Sequence, residues 1–265
     1  MNRKGVCYDV GRVMYGNWRP DYDPKIVHRE LEIMSDLHCN AVRICGRDVG
    51  RLMSNADDAL KQGLEVWLSP ELWNESPEAT RNYTAKAAEA AEKLRKKHPD
   101  KLVLSVGSEL TLFMKGIVPG RTFNQRLQNA FSGEFVKSGE HNKPLNDYLE
   151  SVNQAVREIF RGKVTYASLI WEAVDWELFD FVSVDHYWSA KIKDRYVELL
   201  KSSFASGKPV VITEFGFRTY KGAATSTEGM AGDIIDYKPR PSMIASYLLN
   251  KVLSSVFGKQ SVPQE

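Results

Sequence analysis

Short apolar runs recur along the chain, and longer stretches with helical spacing separate them. Lys4–Val10, Asn40–Cys45, Leu64–Leu68, Lys101–Val106, Val164–Leu169 and Leu178–Asp185 read as strands, and the stretch Lys208–Phe217 holds a seventh. In that last stretch Val210, Val211 and Ile212 are β-branched and unbroken, the pattern of a parallel strand buried on both faces. Between the strands, residues 24–37, about 49–62, 80–97, 145–161 and 194–205 have the spacing or composition of helices. Asp23-Pro24 has the form of an N-cap followed by proline at the first helical position. Gly63, Gly162 and Gly207 each stop a helix.

Seven alternations of this kind predict a parallel sheet with right-handed crossovers. A doubly wound sheet would usually carry a glycine-rich phosphate loop after its first strand. Here Tyr8-Asp9-Val10-Gly11-Arg12 follows, with no such loop. The expectation is therefore an α/β fold of the TIM (β/α)8 type, one barrel domain over residues 1–265. Two features are atypical. Residues of about 111–144 are too long for an ordinary loop and read as an insertion. The C-terminal segment 219–265 offers no clear eighth strand: Asp233–Tyr237 is a very short stand-in, and Ser242–Phe257 is helical in period. The expected barrel thus lacks strand eight or replaces it, leaving edges on strands one and seven open to self-association.

Composition narrows the function classes. The chain is 43% hydrophobic and 26% charged, with a net charge of +2, which gives no electrostatic case for nucleic acid or an anionic membrane. No apolar run reaches the ~18 residues of a membrane span. The start of the chain lacks a secretory apolar core, so the expected location is the cytoplasm. Cys7, Cys39 and Cys45 each lie in an apolar segment, form no CxxC pair and are expected to be buried free thiols. The five histidines have no metal-ligand spacing, and neither metal nor cofactor is expected.

The candidate chemistry lies at strand ends, where barrels of this type keep their active sites. Glu109 follows strand four and Glu214 follows strand seven, and these strands face each other across the mouth of an eight-stranded barrel. Two carboxylates ~5–5.5 Å apart suit a retaining glycosidase, one as nucleophile and one as acid/base. Their environments must then differ, so that one stays ionised while the other keeps its proton. Arg43 is expected to bond Glu214, and Tyr187 to orient it. His186 would contact the substrate or Glu109. Asp185 is expected to face away from the site as a structural residue. Trp73, Trp171 and Trp188 follow strands and could stack on sugar faces. Glu71 and Glu172 lie just past strand ends as reserve carboxylates. Either glutamate alone could instead cap a helix or pair with an arginine.

These positions resemble clan A glycoside hydrolases, the cellulase- and β-galactosidase-type barrels, over roughly residues 4–218. The match rests on Thr213-Glu-Phe-Gly216, on Arg43 in Ala-Val-Arg-Ile-Cys, on Glu109 and on Asp185-His-Tyr-Trp188. The resemblance implies an acid/base role for Glu109, a nucleophilic role for Glu214 and a carbohydrate substrate. Where the clan places Asn before the strand-four glutamate, to bond the sugar 2-OH, this chain has Ser108. The clan's tryptophan on strand eight has no evident counterpart. The YDVG, VRICGRD, GSE and VDHYW stretches are also similar to prokaryotic proteins labelled abortive phage infection proteins. A non-hydrolytic carbohydrate-binding or interaction barrel, active in phage defence, is the alternative expectation.

Overall fold

The structure, a computed structural model, describes residues 3–11 and 22–216. Seven strands run in parallel in the order of the chain: β1 (Gly5–Asp9), β2 (Ala41–Gly46), β3 (Glu65–Pro70), β4 (Leu102–Ser108), β5 (Lys163–Leu169), β6 (Val182–Asp185) and β7 (Val210–Glu214). The sheet curls so far that the Cys7 thiol on β1 donates to the Thr213 carbonyl on β7, at 3.3 Å. The result, among the described residues, is a nearly closed TIM-type barrel of seven strands. Asp233–Tyr237, where a stand-in eighth strand was expected, and the helical stretch after it lie outside the described residues.

Local chemistry accounts for the helices between the strands. Asp23 caps α1 (Pro24–Asp36) by accepting from the Lys25 amide at 2.9 Å. Asp48 caps α2 (Val49–Lys61), and Ser76 caps α3 (Pro77–Arg95) with Pro77 at the first helical position. The expected insertion begins with three short helices: α4 (Leu110–Phe113), α5 (Phe123–Phe131) and α6 (Glu134–Ser138). Thr122 and Gln125 form a reciprocal capping box on α5. The long α7 (Asn142–Ile159) then leads to β5.

Period-2 alternation sorts the strand residues between two cores. Val42, Ile44, Val66, Leu68, Leu102, Leu104, Val164 and Tyr166 face the helices and pack on Val27, Leu31, Leu52, Ala88, Leu149 and Val152. The opposite parity fills the barrel. Ala41, Trp67, Val103 and Phe181 form a small apolar plug, with Val211 against it. Above it the interior turns polar, through Arg43, Ser69, Ser105, Thr165 and Ser183, all buried. Thr165 and Ser183 satisfy each other at 2.7 Å. The interior is thus a packed core beneath a polar mouth.

Three expectations need correction. Strand six begins at Val182, because the Asp180 side chain leaves the ladder to accept from the Val164 amide at 2.7 Å and from Arg157 at 2.8 Å. The helix expected over 194–205 is instead a four-residue α8 (Tyr196–Leu199) between two 3₁₀ turns. The three cysteines are free but not buried: Cys7 is exposed and the others are half-buried. Among the described residues, no helix is long and apolar enough to cross a membrane.

Candidate active site

The two strands that deliver the glutamates each carry an extra residue just before them. On β4 the register with β5 jumps from Ser105↔Thr165 to Ser108↔Ala167, three residues against two. On β7 the register with β6 passes from Val184↔Ile212 to Asp185↔Glu214, two residues against one. An extra residue of this kind bends the strand and re-aims the side chain that follows. Glu109 then leaves β4 with φ 47° and ψ 42°, the left-handed region. Its amide still reaches the Ala167 carbonyl at 2.9 Å, and its own carbonyl accepts from Leu112 and Phe113 to start α4.

The outcome is a cluster of acids. Oxygens of Glu109, Asp185 and Glu214 all lie within 4.8 Å of one another. Glu109 and Asp185 are buried, and the Glu214 side chain is 22% exposed. Arg43 lies beneath them, inside the barrel. Its Nη1 donates to Glu214, its Nη2 donates to Ser69 Oγ at 3.1 Å, and the same nitrogen lies 3.5 Å from Glu71. The Tyr187 hydroxyl donates to the other oxygen of Glu214 at 2.5 Å. Glu214 is therefore held at both oxygens by donors from β2 and from the residue two past Asp185.

These partners set the two glutamates apart. Burial alone would raise Glu214. The positive charge of Arg43, with hydrogen bonds from Tyr187 and Arg43, outweighs it and holds the carboxyl below its ordinary value. Burial pushes Glu109 well above the ordinary range, and the negative charges of Asp185, Glu214 and Glu172 add to it against Arg43. Burial also keeps the Tyr187 phenol up, so it remains a donor. The surroundings thus favour the charged form of Glu214 and the protonated form of Glu109.

Asp185 is the residue that the sequence reading misplaced. It faces the cluster, accepting from Thr213 Oγ1 at 2.7 Å and from Ser108 Oγ at 3.3 Å. The signal was in the sequence: residues 185 and 187 share a strand face, so a Tyr187 that points inward brings Asp185 with it. His186, between them, turns the other way. Its Nε2 lies 2.8 Å from the Tyr196 carbonyl, and its ring stacks on Tyr196 at 4.1 Å. It reaches neither the acids nor the mouth.

The reserve acids have their own partners. Glu172 takes hydrogen bonds from the Leu169 amide at 2.9 Å, the Tyr166 hydroxyl at 2.9 Å and the Thr111 amide at 3.3 Å. Tyr166 Oη in turn accepts from the Leu110 amide at 2.8 Å. Glu172 thus braces the turn that carries Glu109. Glu71 lies against Arg43, and its burial, opposed by that charge, pushes its pKa to about 8. Of the tryptophans, Trp73 stacks on Phe113 of α4 at 4.0 Å, and Trp171 meets His141 edge-on at 5.2 Å. Both are partly buried and pack against the main core. Trp188 is half-buried beside the end of β7, its amide donating to the Gly216 carbonyl at 3.0 Å.

The three clustered acids are close enough to ligate one cation. Arg43 already supplies positive charge at Glu214, so a metal there would compete with a guanidinium.

No family model matches the chain, and no curated protein matches it. Solved structures do. A GH113 β-1,4-mannanase superposes with a TM-score of 0.56 at 16% identity, over 97% of this chain and 84% of the other. The GH113 β-mannanase of Alicyclobacillus acidocaldarius gives 0.55 at 16% identity, over 93% and 80%. An FMN-binding β-glucuronidase from Facaelibacterium prausnitzii gives 0.55 at 13% identity, over 83% of this chain but 31% of its own. At these identities the likeness is one of fold: the TIM-type barrel.

Proposed function

We propose that the chain is a retaining glycoside hydrolase in which Glu214 is the nucleophile and Glu109 the acid/base. One observation carries the reading: two carboxylates within 4.8 Å, one bonded by Arg43 and Tyr187, which favour its charge, the other buried beside like charges, which favours its proton. The spacing fits direct attack by a carboxylate and is too short for a water between them, as inversion requires.

Glu214 attacks the anomeric carbon as Glu109 gives its proton to the departing oxygen. A covalent glycosyl ester forms on Glu214, and the leaving group departs as an alcohol. Glu109, now a carboxylate, takes a proton from the water that attacks the ester, restoring both groups. Tyr187 and Arg43 orient Glu214 and accept the change in its charge. Trp188 is the ring best placed by position to meet a sugar, since it borders the end of β7. The mannanases among the similar folds make β-mannan the first substrate to try, ahead of other neutral glycans. The phage-defence role rests on the sequence resemblance alone.

The test is covalent trapping. Incubation of the protein with activated 2-fluoroglycosides, including the mannoside, followed by intact mass analysis, should show one added sugar on wild type and none on Glu214→Gln. An adduct that persists on Glu214→Gln would dismiss Glu214 as nucleophile. A second reading, a carbohydrate-binding barrel without turnover, draws on Ser108. Its hydroxyl is engaged with Asp185, where the clan's asparagine would meet the sugar 2-OH. Glycan binding without an adduct across the panel would select that reading.

A further inference from the structure

The site holds three carboxylates and one guanidinium, and the chemistry above uses only two of the acids. Their hydrogen bonds rank them. Glu214 has Arg43 and Tyr187. Asp185 has two hydroxyl donors, Thr213 and Ser108. Among the described residues no donor bonds the Glu109 carboxyl. Three acids within 4.8 Å cannot all ionise beside one positive charge. The proton left in the cluster therefore belongs on the acid with no donors, Glu109, and the negative charge that most favours it there is that of Asp185.

We propose that Asp185, whose charged form the hydroxyls of Thr213 and Ser108 favour, is the positioning residue that holds the acid proton on Glu109 as the pH rises through neutrality. The inference rests on the glycosidase reading for its catalytic meaning, but not for its electrostatics. Asp185 touches no reacting atom and transfers no proton: Glu109 loses and regains its own within each cycle.

The surrounding charges agree. Facing Glu109 are Asp185 from β6, Glu214 from β7, Glu172 from the loop after β5 and Arg43 from β2. Glu214 is already neutralised by Arg43, and Glu172 is tied into the brace on α4. Burial and the charge of Glu214, against Arg43, Thr213 and Ser108, push Asp185 itself up to about 7. It therefore takes on its charge around neutrality, and its pull on the Glu109 proton grows from there.

The experiment is Asp185→Asn in the full chain, which keeps the shape and removes the charge; its amide oxygen can accept from one of the two hydroxyls, and the other hydroxyl can turn to accept from its amide nitrogen. Carboxyl ¹³C NMR, with the Glu109 signal identified by its loss in Glu109→Gln, reads the Glu109 titration directly. The expected result is a fall of ~1–2 pH units in the Glu109 midpoint. The basic limb of kcat/KM for an aryl glycoside should move down with it. Thr213→Val, which removes the shorter bond to Asp185, should move both in the same direction by less, and it serves if Asp185→Asn does not fold. A Glu109 midpoint that stays in place, or moves up, in the folded variant overturns the inference. The titration needs no turnover. A wild type that forms no adduct but shows the shift would sink the glycosidase reading alone, and an adduct without the shift would sink this inference alone.

Discussion

Glu109 bears a backbone cost that its position explains. At φ 47° a side chain with a Cβ sits in a region that glycine tolerates freely and other residues disfavour by roughly 1–2 kcal/mol. Such strain persists where the surroundings over-determine the conformation, and here Ala167, Leu112 and Phe113 pin the backbone on both sides. The cost separates two variants that both delete the carboxyl. Glu109→Gly should be more stable than Glu109→Ala by about 0.5–1 kcal/mol, after glycine's extra unfolded freedom is subtracted, or ~1–4 °C in Tm. Both should lose turnover of substrates with poor leaving groups. Thermal melts compare the pair, and an alanine variant as stable as the glycine would mean that the turn is not strained. At this scale the sequence showed both glutamates and the two donors of Glu214, but not the place of Asp185. Glu109, Glu214, Arg43 and Tyr187 stand out because charged and hydroxylated residues at strand ends have few structural reasons to be there. Asp185 was legible by parity with Tyr187. Thr213 was not, because the extra residue on β7 lets Thr213 reach Asp185 while Glu214 still joins the cluster, breaking the alternation on which sequence reading depends.

At the scale of elements, the turn from β4 into α4 positions Glu109, and Gly107 is its narrowest point. A Cβ at residue 107 would lie 2.8 Å from Leu110 Cδ1 and 2.9 Å from its Cγ. Leu110 is buried and its amide is bound to Tyr166, which Glu172 holds in turn. It cannot swing aside without moving the helix that begins directly after Glu109. Gly107→Ala should therefore displace the acid by a fraction of an ångström to an ångström. A shift of that size lowers kcat/KM by ~10–100-fold, with a stability loss of about 1–3 kcal/mol. Steady-state kinetics beside a melt measure both, and unchanged kcat/KM would show that the turn absorbs the methyl group. Elements built on hydrophobic period and caps were readable: Asp23-Pro24 opens α1, and all seven strands are present. Those held by side-chain bonds to distant backbone were not. Asp180 reaches back to Val164 and shortens β6, and residues 193–204 break into 3₁₀ turns where helical composition suggested one continuous helix.

For the whole molecule, a barrel mouth crowded with buried acids ties stability to pH. Burial pushes Glu71 to about 8, and Glu172 and Asp185 each to about 7, against 4.5 for a free glutamate or 3.8 for an aspartate. Burial raises Glu109 as well. Between about pH 4.5 and 7 the folded chain therefore keeps protons that the unfolded chain has released. Stability falls with rising pH wherever the folded state binds more protons, so it should decline across this window and on through about 8, where Glu71 gives up its proton. The opposite case, Glu92, is lowered to about 2, chiefly by its hydrogen bond from Arg95, and costs stability only below about pH 4.5. The optimum should thus lie near pH 5, with Tm about 5–10 °C higher there than at pH 8. Glu71→Gln tests the source. It removes the acid raised to about 8 while preserving a polar neighbour for Arg43, so it should flatten the Tm–pH slope between 6 and 8. It should also raise Tm at pH 8 more than at pH 5. A slope that survives Glu71→Gln unchanged, or a Tm that climbs from pH 5 to 8, would mean that these acids are ionised in the folded barrel.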